Sequence, residues 1–206
     1  ASIGQLPGKP VKLMLENESS PVIKPARSLP ESMRDKVRDE LLDMCNKGVI
    51  APQEGPSSWC NQMVIGEKKS GDIRVCLDPT SLNVYLRREH NKMPTLKDML
   101  PRFSGAEVFS SCDLAHGFWH IELEEESSVL TTMATPWGRF RWLRLPFGLN
   151  ISSEIFQRRL HQAIEGLEGL ASVADDIVIY GPSQMEHDRN LERFLQRCQE
   201  QGIRLN

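Results

Sequence analysis

Two adjacent aspartates, Asp175 and Asp176, sit between two apolar runs in Ala171-Ser172-Val173-Ala174-Asp175-Asp176-Ile177-Val178-Ile179-Tyr180. Short runs rich in Val and Ile read as strands, so the spacing predicts a β-hairpin with the acid pair at its turn. Like charges held in a tight, half-buried turn repel and disfavour each other's ionisation. A divalent cation is the simplest offset, because magnesium takes a few carboxylate oxygens and leaves waters and phosphates to complete its octahedron. Asp113, at the end of the stretch Val108 to Cys112, is the candidate third carboxylate. Three carboxylates suffice for two ions about 3.5 to 4 Å apart, which stabilise both the attacking and the leaving oxygen of phosphoryl transfer. Plainer readings stand beside this one: a polar hairpin turn for Asp175-Asp176 and a helix cap for Asp113.

The rest of the chain mixes helical and strand periods, which makes the expected class α+β. The proline-rich opening to about Pro30 reads as an extended arm laid over a domain. Met33, Val37, Leu41, Met44 and Cys45 then recur at helical spacing, and Asn46-Lys47-Gly48 stops the helix. Gln62 to Gly66 and Ile73 to Leu77 form a hairpin with a basic tip at Lys68-Lys69-Ser70-Gly71-Asp72. Thr95 and Asp98 make a capping box for a short helix ending near Gly105, and Val108 to Cys112 is expected as a buried strand. Leu130 to Thr135, the turn Pro136-Trp137-Gly138 and Arg139 to Leu145 predict a second hairpin. Ser153 is the expected cap of a helix that buries Ile155, Phe156, Leu160, Ala163 and Ile164. A second capping box, Ser183 and Glu186, opens a helix that places Leu191, Phe194, Leu195 and Cys198 on the core before Gly202.

With 206 residues, 39% hydrophobic and 26% charged, the chain builds one core or two small lobes. No apolar run approaches the ~20 residues of a membrane span and no secretion signal opens it, so a soluble, intracellular protein is expected. Five widely spaced cysteines without a Cys-x-x-Cys pair argue for reduced thiols. The net charge of −3 opposes a bulk electrostatic grip on nucleic acid. Local basic clusters counter it: Lys68-Lys69, Arg87-Arg88, the trio Arg139, Arg141 and Arg144, and Arg158-Arg159, each also readable as a solvated face. Asp113, His116 and His120 mimic a zinc spacing, but no catalytic Glu accompanies it.

An ordered series of segments carries a resemblance. Gly48-Val49-Ile50 with Pro56-Ser57-Ser58-Trp59 comes first, then Lys68-Lys69-Ser70-Gly71, Arg74-Val75-Cys76-Leu77-Asp78 and Leu82-Asn83. Phe109-Ser110-Ser111-Cys112-Asp113-Leu114, Thr135-Pro136-Trp137-Gly138-Arg139-Phe140 and Leu145-Pro146-Phe147-Gly148-Leu149 follow. Glu154-Ile155-Phe156-Gln157 and Asp175-Asp176-Ile177-Val178-Ile179-Tyr180-Gly181 close it. In this order they resemble the reverse transcriptase domain of gypsy-type long-terminal-repeat retrotransposons and, more distantly, retroviral polymerases.

The resemblance implies an RNA-directed DNA polymerase built as right-hand fingers and palm, with a four-strand-like antiparallel palm sheet and packed helices. Residues 1–86 and 123–146 would be fingers, and residues 87–122 and 147–206 palm. It implies that Asp113, Asp175 and Asp176, with the Leu114 carbonyl, hold two Mg2+ ions (Mn2+ being the alternative metal) for transfer of a nucleotide to a primer 3′ hydroxyl. Lys68 or Lys69 with Arg74 would close on the dNTP triphosphate. His116 and Gly117 would offer backbone amides to it, Phe118 would exclude a ribose 2′ hydroxyl, and Phe147 and Gly148 would lie under the sugar and template base. Core packing is the plainer reading of Phe118 and Phe147. The partners implied are an RNA or DNA template with its primer, dNTPs, and the last palm hairpin, thumb, RNase H and integrase domains of a polyprotein, with no membrane. The implied setting is a cytoplasmic particle, with the nucleus as alternative. Val173 stands where an aromatic residue is usual, Asn150 and Ser153 where Lys and Pro are, and Pro79-Thr80 replaces an aromatic-Arg pair. Two other readings share these residues: an inert retroelement remnant acting as a binding module, and an unrelated magnesium phosphotransferase or nuclease.

Overall fold

The computed structural model describes residues 2–90, 92 and 94–206. In chain order the elements are α1 (Glu31–Asn46), β1 (Ile50–Pro52), β2 (Asn61–Glu67), β3 (Ile73–Asp78), α2 (Thr80–Asn83), α3 (Leu96–Met99), β4 (Val108–Asp113) and α4 (Glu125–Leu130). Then come β5 (Met133–Thr135), β6 (Gly138–Trp142), α5 (Ser152–Ala163), β7 (Leu170–Val173), β8 (Asp176–Gly181) and α6 (Gln184–Gln201). The chain divides into two compact units, the first formed mainly by Lys9–Glu89 and Ile121–Ser152, the second by Ile3–Gly8, His90–His120 and Ser153–Asn206.

The first unit holds a five-stranded sheet in the order β1-β6-β5-β2-β3, in which only the β2–β5 pair is parallel. Helix α1 packs on it through Val37, Leu41 and Met44, the apolar positions at helical spacing, and ends ahead of Gly48, whose φ of 75° suits glycine. The β2–β3 hairpin closes through Lys68 N–H donating to the Asp72 carbonyl at 2.7 Å, with Gly71 at φ 86°. The opening arm joins this unit by single bridges, Val11 to Leu123, Leu15 to Leu86 and Ile23 to Cys60. The second expected hairpin forms as β5–β6, but Leu130 ends helix α4 instead of starting a strand. Three acids at the head of that helix, Glu124 to Glu126, favour its N-terminal dipole.

The second unit holds an antiparallel sheet in the order β4-β8-β7. Beside this sheet a single antiparallel bridge joins Leu114 to Leu205. Ile177 and Ile179 of β8 are buried on the face that α6 covers with Phe194 and Cys198. The expected core face of α5 is buried throughout: Ile155, Phe156, Leu160, Ala163 and, one residue on, Ile164. Three expectations are corrected. Strand β4 alternates between half-buried and exposed because it is a sheet edge carrying Ser110 and Ser111, so it is not a buried strand. Helix α5 begins at Ser152, which puts Ser153 inside the first turn. Leu195 is exposed on α6, while His187 takes a buried place on that helix. Ser183 caps α6 by accepting from Glu186 N–H, and Gly202 closes it at φ 76°. All five cysteines are free thiols. Among the described residues no helix is long and apolar enough to cross a membrane.

Candidate active site

The antiparallel register of β4 and β8 sets Asp113 opposite Asp176, Ser111 opposite Val178 and Phe109 opposite Tyr180. Alternation along both strands puts these six side chains on one face of the sheet and turns Ile177 and Ile179 to the other. Asp176 also pairs with Val173 of β7, which leaves Ala174 and Asp175 as a two-residue turn. Ala174 adopts φ 53°, unusual for a residue with a Cβ, to close it. The predicted acid hairpin is therefore present, with Asp175 in its turn and Asp176 as the first residue of the returning strand.

All three aspartates are exposed, and among the described residues no Lys, Arg or His pairs with any of them. Like charges directly opposite each other weaken an antiparallel pair. Asp113 and Asp176 thus stand opposite each other without a positive charge from the described residues. Among the described residues no group of three or more His, Cys, Asp or Glu side chains is placed to hold a metal ion, the three aspartates included. Magnesium is held by one or two carboxylates plus substrate phosphates, so an open carboxylate pair with a third acid at the turn suits it. Leu114 forms its bridge to Leu205 while Ala115 N–H donates to Arg204 O at 2.9 Å and Asn206 N–H donates to Asp113 O at 3.0 Å. In such a pair the Leu114 carbonyl points away from the Leu205 segment.

After Asp113 the chain turns tightly into a 3-10 helix, Gly117–His120. His116 takes φ 51° and stacks its ring on Trp119 with centroids 4.3 Å apart. Gly117 has no room for a Cβ, which would meet Phe156 Cζ at 2.8 Å. Phe118 is buried and lies edge-on to Phe156 with centroids 5.3 Å apart, so core packing accounts for its present contacts. His120 is fully buried, and its Nε2 accepts from Arg204 N–H at 3.0 Å. Its Nδ1 lies 3.4 Å from His116 O, so both ring nitrogens are engaged within the chain.

In the first unit, Lys68 and Lys69 are exposed at the hairpin tip and Arg74 is exposed on β3. The Arg74 guanidinium lies over the Phe147 ring, 5.5 Å from its centroid. Gly148 adopts φ 103°, and a Cβ there would meet Leu77 O at 2.8 Å. Asn83 Nδ2 donates to Gly148 O at 2.9 Å, and Asn83 Oδ1 accepts from Asn150 N–H at 3.0 Å. Asn83 thus pins the Phe147-Gly148 turn, a role its place in Leu82-Asn83 did not announce. Thr80 has a task of its own: its hydroxyl holds the Asp78 carboxyl below the ordinary carboxylate range, and Arg27 adds an ion pair at 2.6 Å.

Residues 66–206 match the family model described as "Reverse transcriptase (RNA-dependent DNA polymerase)". An uncharacterized protein of Caenorhabditis elegans is 35% identical over 194 residues, 93% of this chain and 15% of that protein. The enzymatic polyprotein of cauliflower mosaic virus is 30% identical over 189 residues, 89% of this chain and 27% of the polyprotein. Each spans far more than this chain. Among solved structures, a prototype foamy virus protease-reverse transcriptase superposes with TM-score 0.87 at 20% identity, covering 99% of this chain and 27% of that one. A foamy viral protease-reverse transcriptase in complex with an RNA/DNA hybrid gives 0.83 at 19% identity, covering 100% and 27%. At this identity the likeness establishes the fold.

Proposed function

Because this chain belongs to the reverse transcriptase (RNA-dependent DNA polymerase) family, we propose that it carries the nucleotidyl-transfer site of a larger polyprotein. The observation that carries the reading is the pairing of Asp113 with Asp176 beside Asp175, three exposed carboxylates without a counter-cation among the described residues. Asp113, Asp175, Asp176 and the Leu114 carbonyl are the groups that would hold Mg2+. Bound there, Mg2+ would supply charge stabilisation to nucleotidyl transfer.

The chain's own groups do the rest. Lys68, Lys69 and Arg74 bring positive charge suited to a triphosphate, and the Arg74–Phe147 contact holds one of those charges in place. His116 and Gly117 offer backbone amides from a loop kept tight by Phe156. Phe118 stands as the residue that selects deoxynucleotides, and Gly148 lets backbone lie close to the sugar. Residues 1–86 and 123–146 act as fingers and residues 87–122 and 147–206 as palm. The substrates are dNTPs and an RNA or DNA template with its primer. A cytoplasmic particle assembled from the polyprotein, with RNase H and integrase activities beside this domain, is the setting that follows.

Primer extension on an RNA template with Mg2+ and dNTPs tests this. This chain and a version extended with the following domains are compared with Asp175→Asn and Asp176→Asn variants of each. Extension by either unaltered protein that disappears in its variants supports the assignment. Extension that survives both substitutions overturns it.

A further inference from the structure

The contact between Asn206 and Asp113 is the one side-chain hydrogen bond drawn to any of the three aspartates among the described residues. Asn206 Nδ2 donates to Asp113 Oδ2 at 2.7 Å, and Asn206 N–H donates to Asp113 O at 3.0 Å. One residue thus grips the backbone and the carboxylate of Asp113 together. Its own segment is fastened independently: Arg204 N–H donates to His120 Nε2 at 3.0 Å, Arg204 O accepts from Ala115 N–H at 2.9 Å, and Gly202 O accepts from Gln5 N–H at 3.0 Å. His120 is fully buried, and a Cβ on Gly4 would stand 2.0 Å from its Nε2, so the anchor has no slack.

We infer that Asn206 is a positioning residue for Asp113, fixing the carboxylate so that Oδ1 is left for a divalent cation. This rests on the reading of Asp113 as a metal ligand. The amide offsets part of the charge that Asp113 presents to Asp176 across the strand pair. Because it holds Oδ2, it also sets which lone pairs face outward. Hydrogen-bond partners of ligating carboxylates orient them, and removing such a partner typically weakens metal binding on the order of 10- to 100-fold. The bond here is solvent-exposed, which places the expected effect at the low end of that range, about tenfold.

The test is Mn2+ titration of this chain by electron paramagnetic resonance, with thermal unfolding of the metal-free protein alongside. Three proteins are compared: the unaltered chain, Asn206→Leu, which keeps the branched shape and the backbone N–H but loses the donor, and Asp113→Asn. The expected result is an Mn2+ affinity about tenfold weaker in Asn206→Leu with an unchanged metal-free unfolding midpoint, and near-complete loss in Asp113→Asn. Unchanged affinity in Asn206→Leu overturns the inference, as does a loss accompanied by a matching drop in the unfolding midpoint, which marks a merely structural contact. Saturable binding unaffected by Asp113→Asn, or none in the unaltered chain, overturns the metal-ligand reading itself and the inference with it.

Discussion

Asp113 and Asp176 face each other directly across the β4–β8 strand pair, two carboxylates in register with no basic side chain among the described residues to separate them. Cross-strand pairs of like charge are destabilising on the scale of ~0.2–1 kcal/mol. Asp176→Asn is therefore expected to raise the metal-free stability by a few tenths of a kcal/mol while abolishing primer extension. Urea unfolding with and without Mg2+ checks this. A variant less stable than the parent in metal-free buffer would show that the register pair carries no repulsion.

Gly148 sits where only glycine fits. Its φ of 103° and the 2.8 Å approach a Cβ would make to Leu77 O predict strain together with a clash against backbone, which cannot swing aside. Gly148→Ala is expected to cost about 1–3 kcal/mol and to loosen the Arg74–Phe147 contact. Urea midpoints measure the cost, and an alanine variant as stable as the parent refutes the steric argument.

Phe118 packs in the core and is proposed to select the sugar, and one substitution separates the two roles. Its ring is buried against Phe156, so Phe118→Val is expected to lower stability by roughly 1–3 kcal/mol. If it also selects the sugar, the same variant incorporates ribonucleotides more readily relative to deoxynucleotides. The ratio of kcat/KM for the two, measured well below the unfolding temperature, decides the matter. An unchanged ratio leaves Phe118 as core alone.

The elements whose signals are local were legible in the sequence. The α1 stripe Val37, Leu41 and Met44, the Thr95–Asp98 capping box, the Ser183 cap and the hairpin around Asp175-Asp176 each encode their geometry within a few residues. Contacts made at long range were not. Nothing near Asn206 says that its amide reaches Asp113, ninety-three positions away, and nothing near Asn83 says that it pins Gly148. The burial of β4 was overestimated because a Val-Phe start suggests a central strand, whereas edge position is decided by which strands pair elsewhere. The α4 helix was hidden because its apolar residues, Val129 and Leu130, come only at its end, while its buried face is made by Ser127 and Ser128.

Ser110, His187 and Asp188 form a hydrogen-bonded chain that ties α6 to β4. Ser110 Oγ lies 2.7 Å from His187 Nε2, and His187 Nδ1 lies 2.9 Å from Asp188 Oδ1. His187 is buried, so Ser110→Ala strands a ring nitrogen without a partner, a loss worth about 1–3 kcal/mol. Because β4 carries Asp113, amide exchange should quicken along Val108–Asp113 in that variant. Exchange rates equal to the parent's would mean that the chain of bonds contributes nothing to holding β4.

Alkaline pH should loosen the second unit through Cys198. Burial pushes this thiol from its ordinary 9.0 up to about 11, with Cys112 nearby adding to the shift. The unfolded chain therefore gives up its thiol proton before the folded one does. Between about pH 9 and 11 it binds fewer protons than the native state, and stability falls as pH rises, while below about 9 this group contributes no slope. Cys45, Cys60, Cys76 and Cys112 are shifted in the same direction by burial and add smaller slopes of the same sign. Cys198→Ala is expected to be somewhat less stable at neutral pH yet to lose stability less steeply between pH 9 and 10.5. Urea midpoints of both proteins across that interval give the comparison. Parallel curves would show that the Cys198 thiol ionises as readily in the folded protein as in the unfolded chain.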